Sequence, residues 1–175
     1  TGKAIQTADT SNRISFTITT AGTYSITFDE STLNYVIQKT PVINSLSIVG
    51  DATDLKNFDM LGMPMSQSLT DLNVFTWTGH LFASNGKTEG KFKFHSGTGG
   101  QCDDVWIYAL SADQPLSSAS MVIADGCSYP DNKWKVKAGE NGTYKITVNV
   151  STKVVKIEKL NEFATLSITG DATSI

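Results

Sequence analysis

Two aromatic residues in the least regular part of the sequence have the chemistry of a carbohydrate-binding platform. Trp106 and Tyr108 are two positions apart, so they lie on the same face of any strand that contains them. A sugar ring has an apolar face of C–H groups and a rim of hydroxyls, and it binds to a flat aromatic surface flanked by hydrogen-bonding groups. We therefore predict that Trp106 is a ligand platform with Tyr108 as its companion. The alternative is that both rings only cap the end of a sandwich.

Further residues are candidates for the second ring and the polar contacts of such a site: Tyr129, Lys91, Lys93, Asp104, Asn132 and Lys133. The two lysines alternate with Phe92 and Phe94, which predicts that they point away from the core. The others lie in or beside loops, where an acid, an amide or an amine can bond to neighbouring hydroxyls. The simpler interpretation of each is a solvated side chain.

No motif for catalysis is present. The two histidines, His80 and His95, form no paired-histidine spacing and are predicted to be isolated surface residues. Asp103 and Asp125 are a formal carboxylate pair for glycoside hydrolysis, but such pairs arise by chance among 17 acidic residues. The glycine-rich segment 96–100 lacks the Lys-Ser/Thr ending of a phosphate-binding loop. We predict no catalytic residue and no cofactor.

The irregular region also contains four acidic residues that could in principle bind calcium. Asp103, Asp104, Asp125 and Asp131 are hard oxygen ligands, but their spacing matches no known calcium loop. We predict no metal site. Cys102 and Cys127 are 25 residues apart, which leaves open a disulfide, if the protein is exported, or two buried thiols.

The composition excludes several classes of partner. The chain is 39% hydrophobic and 18% charged, with a net charge of −3, so it lacks the basic surface that nucleic-acid binding needs. No stretch approaches the apolar length that spans a bilayer.

An internal repeat gives the organisation of the chain. Residues 22–53 and 142–173 align without a gap at an offset of 120 residues, sharing Gly-Thr-Tyr-x-Ile-Thr and Ser-Ile-x-Gly-Asp-Ala-Thr. A repeat of that length predicts tandem modules. We predict the C-terminal strands of a preceding module at 1–40, a complete module at 41–160 and the first strand of a following module at 161–175.

Apolar residues alternate with polar ones along most of the chain, as expected for strands with one buried face. Examples are Phe75 with Trp77, and Trp134 with Val136. Because they share these alternating faces, Trp77 and Trp134 are predicted to be core residues. No segment combines helical spacing with helix caps, so the pattern predicts an all-β, immunoglobulin-like antiparallel β-sandwich.

Five motifs in order resemble one known family. They are LSIVGDAT at 46–53, NVFTWTGHL at 73–81, GKFKF at 90–94, DNKWKV at 131–136 and GTYKIT at 142–147. The set is similar to the modules of the SusE/SusF family of outer-membrane starch-binding lipoproteins. One departure is that many such modules carry Gly-Trp after the Gly-Asp-Ala-Thr turn, where this chain has Asn57-Phe58.

The resemblance implies tandem immunoglobulin-like modules that bind starch or another α-glucan without cutting it. It also implies a surface-exposed position at the outer membrane, through a lipid anchor outside this sequence, beside other outer-membrane glycan-uptake proteins. The predicted function is therefore that of a non-catalytic polysaccharide-binding module. The alternative is a structural spacer without a ligand site, and a third is an adhesion module with an exposed apolar patch or strand edge. Exposure or burial of Trp106, Tyr108 and Tyr129 distinguishes the first two.

Overall fold

The computed structural model describes residues 2–3, 17, 23–32, 34–40, 42–58, 61–84, 88–97, 102, 104–126 and 129–161. Every regular element in these ranges is a β-strand. Within the same ranges, no helix has the length and apolar character needed to cross a membrane. The chain forms two compact units, Thr1–Val42 and Ile43–Ile175. The strands predicted at 14–18 and 165–170 lie outside the described residues, except for Thr17.

The described residues of the first unit form one antiparallel sheet. Its strands are β1 (Gly2–Lys3), β2 (Thr23–Asp29) and β3 (Asn34–Thr40), in the order β1-β3-β2. Asp29 closes the turn between β2 and β3, because its Oδ1 accepts hydrogen bonds from the Ser31 amide at 2.9 Å and the Ser31 hydroxyl at 2.7 Å. These bonds, with those from Thr32, lower the pKa of Asp29 to about 2.

The described residues of the second unit form two sheets. The seven-stranded sheet consists of β4 (Ser47–Val49), β5 (Met63–Pro64), β8 (Lys91–Ser96), β9 (Val105–Ala109), β10 (Gln114–Pro115), β11 (Met121–Asp125) and β12 (Trp134–Lys135). The four-stranded sheet consists of β6 (Ser66–Gln67), β7 (Val74–Leu81), β13 (Gly142–Asn149) and β14 (Val154–Lys159), in the order β14-β13-β7-β6.

Strand β8 is the centre of the larger sheet. One edge of β8 pairs with β4, while the other pairs first with β12 and then with β9. One pair departs from the antiparallel arrangement of the other strands, because β10 runs parallel to β12 with Gln114 opposite Trp134. The pair is only two residues long on each strand, so it leaves the rest of the sheet antiparallel.

One apolar core contains side chains from both sheets. Phe92, Phe94 and Ile107 from the larger sheet and Ile146 and Val148 from the smaller one are all 0% exposed. The all-β prediction is therefore confirmed, and the packing is consistent with a β-sandwich. Its immunoglobulin-like type stays a prediction.

The core assignment of two tryptophans is also confirmed. Trp134 is 0% exposed and Trp77 is 5% exposed. The indole of Trp134 lies against two phenylalanines of β8, with ring centroids 5.8 Å from Phe92 and 5.4 Å from Phe94.

The Gly-Asp-Ala-Thr motif joins three strands of the sandwich. The Asp51 carboxylate accepts hydrogen bonds from the backbone amides of Glu89 and Lys91, each at 2.6 Å, and the Ala52 amide donates to the Lys91 carbonyl at 3.1 Å. The Ala52 carbonyl accepts from the Phe82 amide at 2.8 Å, just beyond the end of β7. The motif therefore ties the end of β4 to the start of β8 and the end of β7, which is a structural role.

Candidate ligand-binding face

The predicted site residues gather on the outer face of the seven-stranded sheet. Along β9, Ile107 and Ala109 point into the core, so the alternate residues Trp106 and Tyr108 point outward. Along β8, Phe92 and Phe94 point inward in the same way. The period of two in the sequence therefore identified the correct face.

Four rings form a row across this outer face. The ring centroid of Trp106 lies 5.2 Å from that of His95 and 6.1 Å from that of Tyr108, and the Tyr129 ring lies 5.7 Å from Tyr108. Val49, Phe58, Ala124 and Tyr129 pack with Trp106 and Tyr108 into a second apolar cluster, separate from the main core.

The row is covered rather than open. Trp106 is 5% exposed and Tyr108 is 3% exposed, while Tyr129 is half-buried. The expectation that Trp106 and Tyr108 form an open aromatic surface is therefore wrong for this structure. The physical reason is that Phe58 and Tyr129 lie against the cluster and that the ammonium of Lys93 covers the indole.

Lys93 lies over the indole of Trp106, the ring on which a sugar was predicted to stack. Its Nζ lies 3.9 Å from the Trp106 ring centroid and 5.2 Å from that of Tyr108, a cation–π arrangement. The same Nζ donates to Asp131 Oδ1 at 2.7 Å. Burial lowers the pKa of Lys93, although the hydrogen bond to Asp131 opposes this effect. Lys93 points away from the core as predicted, but it is only 8% exposed.

Asp131 holds a second lysine at the same place. Its Oδ2 accepts from Lys133 Nζ at 2.6 Å, and that Nζ lies 5.2 Å from the Phe58 ring centroid. Burial acts to raise the pKa of Asp131, but the bonds from Lys133 and Lys93 outweigh it and lower the pKa.

Lys91 and Asn132 make other contacts within the chain. Lys91 Nζ pairs with Glu89 at 2.5 Å and with Asp113 at 3.0 Å. Hydrogen bonds to these two acids raise the pKa of Lys91. The side-chain amide of Asn132 donates to the Leu110 carbonyl at 3.2 Å.

His95, at one end of the row of rings, and Asp104 form an unsatisfied polar pair. His95 is 1% exposed, so its predicted surface position is wrong. Its Nδ1 lies 3.5 Å from Asp104 Oδ2, and within the described residues neither ring nitrogen of His95 nor this oxygen has a hydrogen-bond partner. Burial lowers the pKa of His95, with Lys93 acting in the same direction and Asp104 opposing it.

This burial predicts that the protein loses stability in mild acid. The folded pKa of His95 is below its ordinary value of 6.5, so the unfolded chain binds more protons between the two values. We expect the free energy of unfolding to fall as the pH drops below about 6.5 and to level off below the folded pKa. Urea denaturation between pH 7.5 and 5 measures the change.

The matched variants for this prediction are His95→Gln and His80→Gln. The first should flatten the profile between pH 7.5 and 5, because it removes the buried titrating group. The second replaces the other histidine and should keep the wild-type profile. An equal loss of stability in wild type and His95→Gln would contradict the prediction.

Sequence reasoning missed three contributors to this face: His95, Asp131 and Phe58. The signal for His95 was available, since it continues the outward alternation of Lys91 and Lys93 along β8. Asp131 stood out only as a possible calcium ligand, and its pairing with Lys93 spans 38 residues. Among the described residues, no group of three His, Cys, Asp or Glu residues is arranged to hold a metal ion.

A disulfide lies at the edge of this face. Cys102 is disulfide-bonded, and the only other cysteine of the sequence, Cys127, lies outside the described residues. Next to it, the Gly126 amide donates to the Asp104 carbonyl at 2.8 Å, and the Tyr108 hydroxyl donates to the Gly126 carbonyl at 3.3 Å. The ends of β9 and β11 are therefore joined beside the aromatic row.

Comparisons with known proteins give no assignment: no protein-family model, no curated protein and no solved structure matches the chain.

Proposed function

We propose that the second unit is a non-catalytic structural module of a tandem array, which holds neighbouring domains apart and has no ligand site of its own. One observation carries the proposal: the aromatic face that was the best candidate for a sugar site is filled by side chains of the chain itself. A sugar that stacked on Trp106 would have to displace the Lys93 ammonium from the ring and from Asp131.

Four of the five polar candidates, all except Asp104, support the same function. Lys91, Lys93 and Lys133 are paired with acids, and Asn132 bonds to a backbone carbonyl. These groups are therefore already satisfied before any hydroxyl approaches, so binding would exchange existing contacts rather than add new ones.

The cellular setting is part of the proposal. A disulfide at Cys102 is typical of an oxidising, extracytoplasmic compartment. This agrees with the outer-membrane surface that the resemblance to the SusE/SusF family implies. In such an array, we propose that sugar contact is made by other domains and that this module sets their distance from the membrane.

The second candidate is the binding of a polysaccharide such as an α-glucan, and Tyr129 favours it. This ring is the least buried member of the aromatic row and lies next to Tyr108. For a glycan that stacked on Tyr129 alone, the candidate polar partners are Asp131 and Lys133, which follow it closely in the sequence and pair with each other.

Titration with soluble glucans, mannans and xylans, followed by tryptophan fluorescence and calorimetry, tests the two candidates. For a structural module we expect no saturable signal with any of them. Saturable binding that Tyr129→Ala abolishes would overturn the proposal and establish the second candidate. Tyr24→Ala is the control, because it removes a half-buried tyrosine from the first unit and should leave any such binding unchanged.

A further inference from the structure

The two units contain the same hairpin. Strands β2 and β3 pair with the register Tyr24↔Lys39, Ile26↔Ile37 and Phe28↔Tyr35, and β13 and β14 pair with the register Tyr144↔Lys159, Ile146↔Ile157 and Val148↔Val155. Every pair is shifted by 120 residues, which is the offset of the sequence repeat. The internal repeat is therefore present in the structure as well as in the sequence.

The turns of the two hairpins also correspond. Asp29 Oδ1 accepts a hydrogen bond from the Ser31 amide at 2.9 Å, and Asn149 Oδ1 accepts one from the Ser151 amide at 3.0 Å. Asp29 and Asn149 are 120 residues apart, and each ends the first strand of its hairpin. The same side-chain cap therefore closes both turns.

The burial of the two hairpins differs sharply. Ile146 and Val148 are 0% exposed, because the seven-stranded sheet covers this face of β13. Their equivalents in the first unit, Ile26 and Phe28, are 53% and 44% exposed. The hairpin of the first unit thus presents to solvent the apolar face that its counterpart buries.

The edge of the hairpin differs in the same way. In the second unit β13 pairs with β14 on one side and with β7 on the other. In the described part of the first unit, β2 is the edge strand of its sheet and pairs only with β3. The described part of the first unit thus contains no counterpart of the strand that flanks β13 or of the sheet that covers it.

We propose that the face of β2 and β3 carrying Ile26 and Phe28 is a docking surface for a second β-sheet, supplied by additional polypeptide joined on the N-terminal side of β1. In the second unit, β4 to β9 lie N-terminal to the β13–β14 hairpin and provide both the flanking strand and the cover. The occupant is therefore equivalent to residues 43–120. It has an apolar inner face like that of Ile48, Phe94 and Ile107, and a strand like β7 that pairs with β2.

The sheet already present in this chain is not the occupant. The inner face of the seven-stranded sheet packs against β7 and β13 of its own unit, in one continuous core. A second copy of the chain has the same sheet covered in the same way. The inference does not depend on whether the second unit binds a glycan.

The first arm of the test uses the chain as it is. A dye that fluoresces on apolar surfaces should bind the wild type and bind clearly less to the double variant Ile26→Ser, Phe28→Ser, with the thermal midpoint of the second unit unchanged. The matched variant Ile146→Ser should unfold the second unit. Equal dye binding by wild type and double variant would overturn the proposal, since the face would then already be covered.

The second arm supplies the missing sheet. A copy of residues 41–120 is fused before Thr1. The junction is placed there because residue 1 is equivalent to residue 121 at the 120-residue offset. The added copy carries Cys102→Ser to avoid an unpaired thiol. Phe28→Val and Tyr35→Val in the fusion match the side chains at 148 and 155 that this sheet covers in the second unit. We expect amide exchange in β2 to slow by about 100-fold, toward the rate in β13.

The control fusion carries Phe94→Asp and Ile107→Asp in the added copy only, and its β2 should exchange as fast as in the unfused chain. Unchanged exchange in the first fusion, with the added segment folded, would overturn the proposal. If the added segment does not fold, the dye comparison on the unfused chain still decides whether the face is open.

Discussion

Replacement of Gly50 with alanine is expected to unfold the second unit. The Gly50 backbone has φ +152°, and an added Cβ would collide with the Lys91 carbonyl oxygen and lie 2.5 Å from the Phe92 Cα. Both atoms belong to the backbone of β8, the central strand of the larger sheet, so relief requires β4 and β8 to separate. We expect a loss of at least about 3 kcal/mol in the free energy of unfolding, measured by urea denaturation.

Gly139→Ala is the matched control. Gly139 also has a positive φ of +86°, but an added Cβ there would meet no atom within 4 Å. It therefore carries the backbone strain without the collision, and we expect a loss of about 1 kcal/mol. Similar losses in the two variants would show that the close approach to β8 is not the cause.

Asp51→Asn separates the steric role of this turn from its hydrogen bonds. The amide of asparagine keeps one acceptor oxygen, so one of the two bonds from the Glu89 and Lys91 amides is lost while the backbone stays in place. We expect a loss of about 1.5–3 kcal/mol, smaller than that of Gly50→Ala. An Asp51→Asn protein as stable as the wild type would mean that these bonds do not hold the turn.

Trp134→Ala has the second largest expected effect. The indole is fully buried between Phe92 and Phe94, and its Nε1 donates to the Ser118 carbonyl at 3.3 Å. Its removal leaves a cavity at the centre of the sandwich, for which we expect a loss of about 3–5 kcal/mol in the free energy of unfolding. Urea denaturation followed by circular dichroism measures this loss without relying on tryptophan fluorescence.

Trp106→Ala and Trp134→Phe are the comparisons. Trp106 lies in the small outer cluster, where Phe58 and the Lys93 side chain can move toward the vacated space, so a smaller loss is expected. Trp134→Phe retains a ring against Phe92 and should also lose less than the alanine variant. A Trp106→Ala loss equal to or greater than that of Trp134→Ala would contradict the assignment of the main core.

The alternation of apolar residues predicted the longer strands outside the irregular region and their inner faces, whereas β9 and β11 lie within the segment that the sequence indicated to be irregular. Phe75 and Trp77 on β7, and Phe92 and Phe94 on β8, are buried as their period of two indicates. This works because a strand directs successive side chains to opposite faces, so the sequence alone states which residues share a face. The internal repeat could likewise be found from the sequence alone. The two described hairpins have the same register at the offset of that repeat.

Only the tertiary structure decided whether the outer face is open. The sequence placed Trp106, Tyr108, Lys91 and Lys93 on that face, but it could not show that Lys93 reaches over the indole toward Asp131, 38 residues away. Nor could it show that Phe58 and Tyr129 pack against Trp106 and Tyr108, or that His95 is buried beside Trp106. The period of two in the apolar residues of a strand indicates the direction in which each side chain points. What lies above that side chain depends on loops and charges brought together from distant parts of the chain.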